Sequence, residues 1–248
     1  MSAKEERIAL AKEQLALDLG CSMAAFDRME NTIVPLAPRP GAREYPGWDS
    51  GLRVVCFGKG AVAAVHPSRL FSYCPLFVGI EGGRLFDFPA MARLDKALSK
   101  AGRRLGVCQA FFLPGSSLPE YPVPEGIAPR FLTQSETAAL GKTRRFPHAL
   151  ARESTALALA GFEGEAVAGV AAAVVDSTRV WQIGVDVRPQ SRGKGLARFL
   201  VVHLTREVLA RGILPCYSTW TGNLFSKRLA LSAGYFPAWL EMGSVKER

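Results

Sequence analysis

The residues best suited to chemistry lie where an apolar run ends and a helical period begins, at residues 183–197. The sequence there is IGVDVRPQSRGKGLA, in which a proline ends the apolar run and a short polar stretch follows. Gly193 and Gly195 leave the backbone bare at the predicted helix start, where the first N–H groups lack partners within the helix. With the helix dipole these amides form an anion site suited to a pyrophosphate, and Arg192 and Lys194 add positive charge.

Other interpretations of this segment are weaker. A P-loop requires GxxxxGK followed by Ser or Thr, and a dinucleotide-binding fingerprint requires GxGxxG; the segment has neither pattern. A tight strand-to-helix turn without a ligand is the remaining alternative, but such a turn does not need two cations beside its glycines. The anion-binding interpretation is therefore favoured.

Short strands and helices surround this segment and must position it. The hydrophobic pattern predicts a short helix at 135–140 capped by Ser135, strands at 156–162 and 166–175 forming a hairpin, a strand at 180–187, a helix at 192–211, a strand at 214–220, a helix at 223–233 ended by Gly234, and strands to about 242. This order predicts an α/β (α+β) fold with a mixed sheet and helices on both faces.

The glycine segment resembles the coenzyme A motif of the GNAT N-acetyltransferase superfamily. Arg192-x-x-Gly195-x-Ala197 matches the family pattern [RQ]-x-x-G-x-[GA], and it follows a strand that ends in Val-Asp-Val at 185–187. The resemblance implies a GNAT-like fold and an acyltransferase of class EC 2.3.1. It also implies acetyl-CoA as co-substrate and no metal.

A second segment resembles the closing strand and helix of the same family. Within 217–235, Asn223 is followed eleven residues later by Gly234 and then by the aromatic Tyr235, which is the family's spacing. The resemblance covers roughly residues 127–242. It implies that the cofactor-binding residues are Val185, Asp186, Val187, Arg192, Gly193, Lys194, Gly195, Leu196, Ala197, Asn223, Phe225 and Ser226.

The resemblance also implies a role for each group of these residues. Backbone groups of Val185 and Val187 would pair with the pantetheine arm like an added strand, and the amides of 192–197 would hold the pyrophosphate. Asn223 would reach the pantetheine or stabilise the separation of the strands that admits it. Phe225 and Ser226 would line the thioester or adenosine side.

One position departs from the family pattern and leaves the catalytic residues unassigned. Many family members have a tyrosine seven residues after the motif asparagine as general acid, whereas this chain has Ala230. The attacking amine, with a pKa of about 10.4 for a lysine-type group, needs a base or a water chain to take its proton. The remaining candidates near the expected thioester are Tyr217, Ser218, Ser226 and Asp186, for each of which packing or capping is an alternative role.

Composition sets outer limits on function. The chain has 248 residues, of which 48% are hydrophobic and 21% charged, values typical of a globular protein. The five cysteines and three histidines are scattered, which argues against a disulfide framework or a metal site. The net charge of +9 suits an anionic partner, and ten of the Lys and Arg residues fall at or after residue 188.

No apolar run is long enough for a membrane span, and no signal-type apolar core follows the charged N-terminus, so a cytoplasmic location without membrane association is expected.

The N-terminal half shows a different organisation. The proline-rich stretch 114–126 is expected to be an extended, exposed linker between an N-terminal α+β domain at 1–113 and the GNAT-like domain at 127–248. Residues 57–65 resemble residues 162–170, either because hairpins look alike or because the N-terminal half is a degenerate copy of the GNAT-like fold. A duplication predicts that a hairpin at 53–66 lies beside a strand at 105–113, with a helix at 89–101 packed on them.

The sequence thus predicts an acetyl-CoA-dependent N-acetyltransferase acting on a primary amine of a small molecule or peptide. A non-catalytic acyl-CoA-binding sensor or regulatory domain is the alternative, and the missing tyrosine favours it. Nucleic-acid binding has only the positive charge in its support, because no recognition motif is present. A homodimer is one possible assembly.

Overall fold

The computed structural model describes residues 2–43, 49–150 and 154–247. The helices are α1 (Ala3–Leu19), α2 (Leu70–Tyr73), α3 (Phe88–Ser99), α4 (Gln134–Lys142), α5 (Leu196–Ala210) and α6 (Leu224–Ser232). The strands are β1 (Thr32–Pro35), β2 (Leu52–Cys56), β3 (Ala61–Val65), β4 (Arg103–Leu105), β5 (Gln109–Pro114), β6 (Ala128–Phe131), β7 (Thr155–Glu163), β8 (Ala166–Val175), β9 (Val180–Val187), β10 (Leu214–Trp220) and β11 (Tyr235–Lys246). Within the described ranges, no helix combines the length and the hydropathy that a membrane crossing requires.

The chain divides into two compact units. The first unit comprises Met1–Arg7, Phe112–Ser218 and Asn223–Pro237, and the second comprises Ile8–Phe111, Thr219–Gly222 and Ala238–Arg248. Most of the proposed GNAT-like domain lies in the first unit, whereas the end of β11 lies in the second. The division into 1–113, 114–126 and 127–248 remains a prediction.

The first unit contains a mixed sheet with the strand order β10-β9-β8-β7-β6. β10 and β9 run parallel, while β9, β8, β7 and β6 are antiparallel neighbours. The predicted hairpin is confirmed, because β7 and β8 pair from Glu163 and Ala166 at the turn onwards. The predicted mixed sheet is therefore correct.

Both faces of this sheet are covered, and glycines allow the close approach on each side. A Cβ atom on Gly161 would lie 2.8 Å from Cδ1 of Leu196, the first residue of α5. On the opposite face, a Cβ atom on Gly184 would lie 2.4 Å from the carbonyl oxygen of His148. Phe146 and its neighbours form a core with alanines of β7 and β8 on that second face. Helix α5 and the 146–149 segment thus cover opposite faces of β8 and β9.

The second unit contains the strand order β1-β3-β2-β11-β5, with β4 also paired to β11. The β2–β3 hairpin and the helix α3 confirm the elements expected there, and Leu94 and Leu98 of α3 pack in the core with the hairpin. The predicted adjacency of the hairpin and the 105–113 strand is wrong, because β11 lies between β2 and β5. The expected strand is also split into β4 and β5. The duplication therefore lacks its geometric support.

The proline-rich segment 114–126, predicted to be an extended and exposed linker, forms hydrogen bonds with other parts of the first unit, although seven of its thirteen residues are exposed. The amide of Gly115 donates to the Gly234 carbonyl at 2.8 Å, and an Arg206 guanidinium nitrogen donates to the Pro119 carbonyl at 3.0 Å. Proline removes backbone donors but leaves carbonyl acceptors, which side chains of the first unit satisfy here. The segment is therefore a fixed part of the first unit, packed against α5 and the end of α6.

Two predicted helix starts need correction. Helix α4 is capped by Thr133 rather than Ser135, because Thr133 and Glu136 form a reciprocal capping box. The helix expected from residue 192 begins at Leu196. Residues 189–191 form a 3-10 turn, and the following glycines adopt positive φ angles that a helix does not contain.

Candidate functional site

Strands β9 and β10 separate along their length. Their parallel pairing runs from Val180 and Leu214 to Ile183 and Tyr217, and the register ends there. Beyond this point β9 continues to Val187, paired with β8 alone on its other side. The backbone edge of 184–187 on the β10 side is therefore open to an added strand-like partner.

The hydrogen-bond register shows which backbone groups face that open edge. The Arg188 amide donates to the Ala168 carbonyl, which makes these two residues a hydrogen-bonded pair. In an antiparallel ladder such pairs alternate with pairs whose N–H and C=O groups point away from each other. Val185 and Val187, opposite Ala171 and Gly169, fall in the second class and direct their polar groups toward the open edge.

The turn between β9 and α5 depends on its two glycines. Gly193 has φ 80° and Gly195 has φ 83°, in the left-handed region that disfavours residues with a Cβ atom. Gly195 is the N-cap residue of α5, and its carbonyl accepts from the Phe199 amide. The glycine pair thus bends the chain so that the first amides of a 15-residue helix point out of its N-terminus.

Side chains around the turn hold it in place. The Arg192 guanidinium donates to the Val187 carbonyl at 3.1 Å, which joins the turn to the end of β9. The Glu163 carboxylate accepts from the Ser191 hydroxyl at 2.9 Å and from the Lys194 ammonium at 3.3 Å. The Ser191 hydrogen bond and then Lys194 lower the pKa of Glu163 from its ordinary value. The carboxylate therefore stays ionised near neutral pH and orders the turn.

A cavity of about 470 Å³ lies beside this turn, between the N-terminus of α5 and one face of α6. This volume falls in the range of small-molecule sites. The lining residues are Val187, Ser191, Arg192, Gly193, Gly195, Leu196, Ala197, Arg198, Phe225, Arg228, Leu229 and Ser232. Seven of the predicted cofactor-binding residues line the cavity: Val187, Arg192, Gly193, Gly195, Leu196, Ala197 and Phe225. The others, Val185, Asp186, Lys194, Asn223 and Ser226, are not among its lining residues.

Sequence reasoning missed five lining residues. On α6, Arg228, Leu229 and Ser232 follow Phe225 at spacings of three, four and seven residues, which place them on one helical face. That periodicity was a signal the sequence contained. Ser191 and Arg198 flank the glycine motif on either side, and Arg198 carries a positive charge into the cavity wall.

The start of α6 brings three predicted residues together. The side chain of Asn223 caps the helix by accepting from the Ser226 amide at 3.1 Å. The Ser226 hydroxyl lies 2.7 Å from the Tyr217 hydroxyl, at the point where β10 leaves β9. Burial raises the pKa of Tyr217, and the hydrogen bond from Ser226 only partly offsets this effect. The phenol thus remains protonated near neutral pH.

The other predicted catalytic residues make structural contacts. The Asp186 carboxylate accepts from the amides of His148 and Ala149 at 2.7 and 2.8 Å, which fixes the 146–149 segment on the sheet. The Ser218 hydroxyl accepts from the Gln182 side-chain amide at 2.6 Å. Ala230, where many relatives have a tyrosine, is fully buried. The geometry therefore brings the Tyr217 and Ser226 hydroxyls together, whereas Asp186 and Ser218 form hydrogen bonds with other partners.

Metal ligation finds no support in the parts of the chain that are described. There, no group of three or more His, Cys, Asp and Glu side chains is placed to hold an ion. None of the five cysteines forms a disulfide, and four of them are buried. The cavity lining contains cations and hydroxyls but no carboxylate, which suits an anionic ligand better than a cation.

A mixed sheet with two diverging parallel strands and a glycine turn at the start of a helix therefore forms the frame of the candidate site. Residues 158–238 match the family model for GNAT acetyltransferases. This match confirms the resemblance inferred from the motifs of this part of the chain. The residues before 158 lie outside the match.

Several solved structures are similar to part of this chain at low sequence identity. A GNAT family acetyltransferase from Novosphingobium aromaticivorans is 19% identical, with 59% of this chain and 68% of that chain covered and a TM-score of 0.46. A GCN5-related N-acetyltransferase-like protein from Streptococcus suis is 17% identical over 75% and 78% of the two chains, with a TM-score of 0.45. An acetyltransferase from Salmonella typhimurium, solved with its cofactor acetyl-CoA, is 18% identical over 50% and 95%, with a TM-score of 0.38. No curated protein sequence gives a significant match.

Proposed function

We propose that the protein transfers an acetyl group from acetyl-CoA to the primary amine of a small molecule or peptide. The observation that carries this proposal is the open β9 edge at 184–187, which leads directly into the glycine turn and its cavity. An extended amide-containing arm followed by a pyrophosphate matches this order of features, because the edge offers strand-like hydrogen bonds and the turn offers amides and cations. The family match of residues 158–238 supports the same donor.

In this proposal each part of the donor has a partner. The pantetheine amides pair with backbone groups of Val185 and Val187, and the pyrophosphate binds the amides of 192–197. Arg192 contributes charge at the cavity wall, and Phe225, a residue that is 86% exposed, covers the adenosine side. Asn223 acts indirectly, since its side chain caps α6 and thereby fixes the helix that carries Phe225.

The chemistry requires one proton acceptor and one proton donor. The amine nitrogen forms a bond to the acetyl carbon after losing a proton to a base or water chain, and the C–S bond then breaks. We propose that Tyr217, with its hydroxyl held by Ser226, gives a proton to the departing thiolate. Its raised pKa keeps the phenol protonated, which suits a proton donor. The base is left unassigned, because the Asp186 carboxylate is engaged by two backbone amides.

Coenzyme A release tests this function. Purified protein with acetyl-CoA and a panel of small amines and lysine-containing peptides should release free thiol faster than without an amine. Tyr217→Phe should lower kcat by about tenfold or more, as loss of an acid catalyst does, and leave the KM for acetyl-CoA little changed. Ser218→Ala, on the same strand, is the matched control. Equal effects of both substitutions would remove Tyr217 from the reaction.

A non-catalytic acyl-CoA sensor is the second candidate. The observation in its favour is Ala230, which is fully buried where many relatives have their tyrosine. A sensor predicts tight acetyl-CoA binding without amine-dependent thiol release. Turnover with any amine in the panel would exclude it.

A further inference from the structure

The cavity lining carries more positive charge than is required to neutralise one pyrophosphate. It contains three arginines, Arg192, Arg198 and Arg228, and no Asp or Glu. A pyrophosphate diester carries two negative charges, and the helix N-terminus at the turn already contributes about half a positive charge. Arg198 lies on α5 and Arg228 on α6, and together they add two positive charges beyond those of Arg192 and the helix N-terminus.

Arg198 lacks a protein counterion in the described part of the chain. Its Nε atom is buried without a hydrogen-bond partner there, and neither it nor Arg228 forms a salt bridge to a described carboxylate. Leaving a buried donor on a charged group unpaired is costly, so such a group is usually completed by a ligand or an ion. The unmatched charge at the cavity wall thus points to an anion of the ligand.

The proline-rich segment holds Arg198 through Tyr121. The Arg198 guanidinium carbon lies 4.9 Å from the centre of the Tyr121 ring, a cation–π contact. The Tyr121 hydroxyl donates to the Ser232 carbonyl at 2.8 Å, and Ser232 also lines the cavity. Tyr121 therefore touches both cavity helices, with Arg198 on α5 and Ser232 at the end of α6.

Further contacts keep Tyr121 in position. Its carbonyl lies 3.4 Å from Nε2 of His203, and the carbonyl of Pro119 accepts from Arg206 at 3.0 Å. Both partners lie on α5, so the segment is attached to the helix that carries Arg198. This arrangement restricts the guanidinium before any ligand arrives, which lowers the entropy lost on binding.

We infer that Arg198 and Arg228 bind a phosphomonoester of the donor nucleotide that is separate from the pyrophosphate, and that Tyr121 is the positioning residue for Arg198. In coenzyme A this group is the 3′-phosphate of the ribose. The inference rests on the proposed function and makes it more specific, because it selects free coenzyme A thioesters over donors that lack the group.

A comparison of coenzyme A with 3′-dephospho-coenzyme A tests the inference. Calorimetry on the full chain should give at least about tenfold tighter binding of coenzyme A, as expected for charge-assisted hydrogen bonds to one phosphate. Arg198→Gln and Arg228→Gln should each remove most of this preference while leaving the affinity for 3′-dephospho-coenzyme A nearly unchanged. Arg211→Gln, which removes the same charge from the far end of α5, should keep the preference.

Tyr121 variants separate positioning from general stability. Tyr121→Leu removes the ring under Arg198 and should reduce the preference by about threefold or more, whereas Tyr121→Phe retains the ring and should preserve most of it. Loss of packing alone would weaken both ligands equally, and circular dichroism checks that each variant is folded.

The outcomes distinguish this inference from the proposed function. If the wild-type protein binds both ligands with equal affinity, the proposed function stands and the phosphomonoester site is wrong. If it binds neither ligand, the proposed function itself is wrong. If the arginine variants weaken both ligands equally, Arg198 and Arg228 support the pyrophosphate instead, which also overturns the inference.

Discussion

The effects of substituting Gly195 on stability and on acetyl-CoA affinity can be estimated from the structure of the turn. Gly195 has φ 83°, a conformation that costs a residue with a Cβ atom about 1–2 kcal/mol. A Cβ atom at this position would meet nothing within 4 Å. Gly195→Ala should therefore reduce stability by backbone strain alone, by about 1 kcal/mol, without a steric clash.

Gly195→Asp adds a negative charge to the same strain. Gly195 lines the cavity, so the carboxylate would share it with the proposed pyrophosphate. At a separation of about 6 Å and an effective dielectric constant of about 20, the repulsion between two unit charges is about 3 kcal/mol. If screening by salt halves this repulsion, about 1.4 kcal/mol remains, which corresponds to a tenfold weaker affinity for acetyl-CoA.

Gly212 supplies a matched control at the other end of α5. It has φ 72°, a Cβ atom there would likewise meet nothing within 4 Å, and the residue does not line the cavity. Gly212→Ala and Gly212→Asp should lower the melting temperature as the Gly195 variants do, but calorimetry should show unchanged acetyl-CoA affinity. An unchanged Kd for Gly195→Asp, or an equal loss for Gly212→Asp, would refute the assignment of the turn as the pyrophosphate site.

Three further predictions address other parts of the first unit. Asp186→Asn weakens the acceptor for two backbone amides and should lower stability by about 1 kcal/mol in chemical denaturation; an unchanged midpoint would contradict the structural role given to this carboxylate. Arg130 and then Thr133 lower the pKa of Glu136 from 4.5 to about 2, so its stabilisation of the fold is present above pH 4.5 and is lost as the pH falls through about 2. The difference in stability between wild type and Glu136→Gln should therefore shrink toward pH 2, and a difference independent of pH would count against the capping box. Ala230→Tyr should destabilise by about 1–3 kcal/mol or more without raising kcat, because Ala230 is fully buried; a stable and faster variant would show that a catalytic tyrosine fits there.

Local signals in the sequence predicted the first unit well. The strands β8, β9 and β10 have the predicted bounds, because long apolar runs between turn residues leave little freedom. Residue types alone located the glycine turn, and seven predicted residues line the cavity beside it, while the anion-binding role of the turn stays a prediction. The helix begins four residues later than predicted, because Gly193 and Gly195 adopt left-handed backbone angles. The spacing of hydrophobic residues does not indicate such angles.

The features that the sequence did not predict depend on contacts between residues far apart in the chain. The insertion of β11 between β2 and β5 joins residues nearly two hundred positions apart, and no local pattern encodes such a neighbour. The proline-rich segment reads as a linker because proline disrupts regular structure, yet its carbonyls accept hydrogen bonds from α5 and its Tyr121 contacts Arg198. The contribution of Arg198 and Arg228 to the cavity likewise depends on how two helices pack.

Backbone hydrogen exchange, resolved by residue, tests whether acetyl-CoA binds along the open β9 edge and at the glycine turn. Saturating acetyl-CoA should slow exchange at the amides of Val185 and Val187 and at the amides of 193–197, because the pantetheine arm and the pyrophosphate become their partners. Amides of β6, at the far edge of the sheet in the first unit, should be much less affected. Binding of acetyl-CoA with protection elsewhere, and none at Val185, Val187 or the glycine turn, would show that this edge and turn are not the donor site.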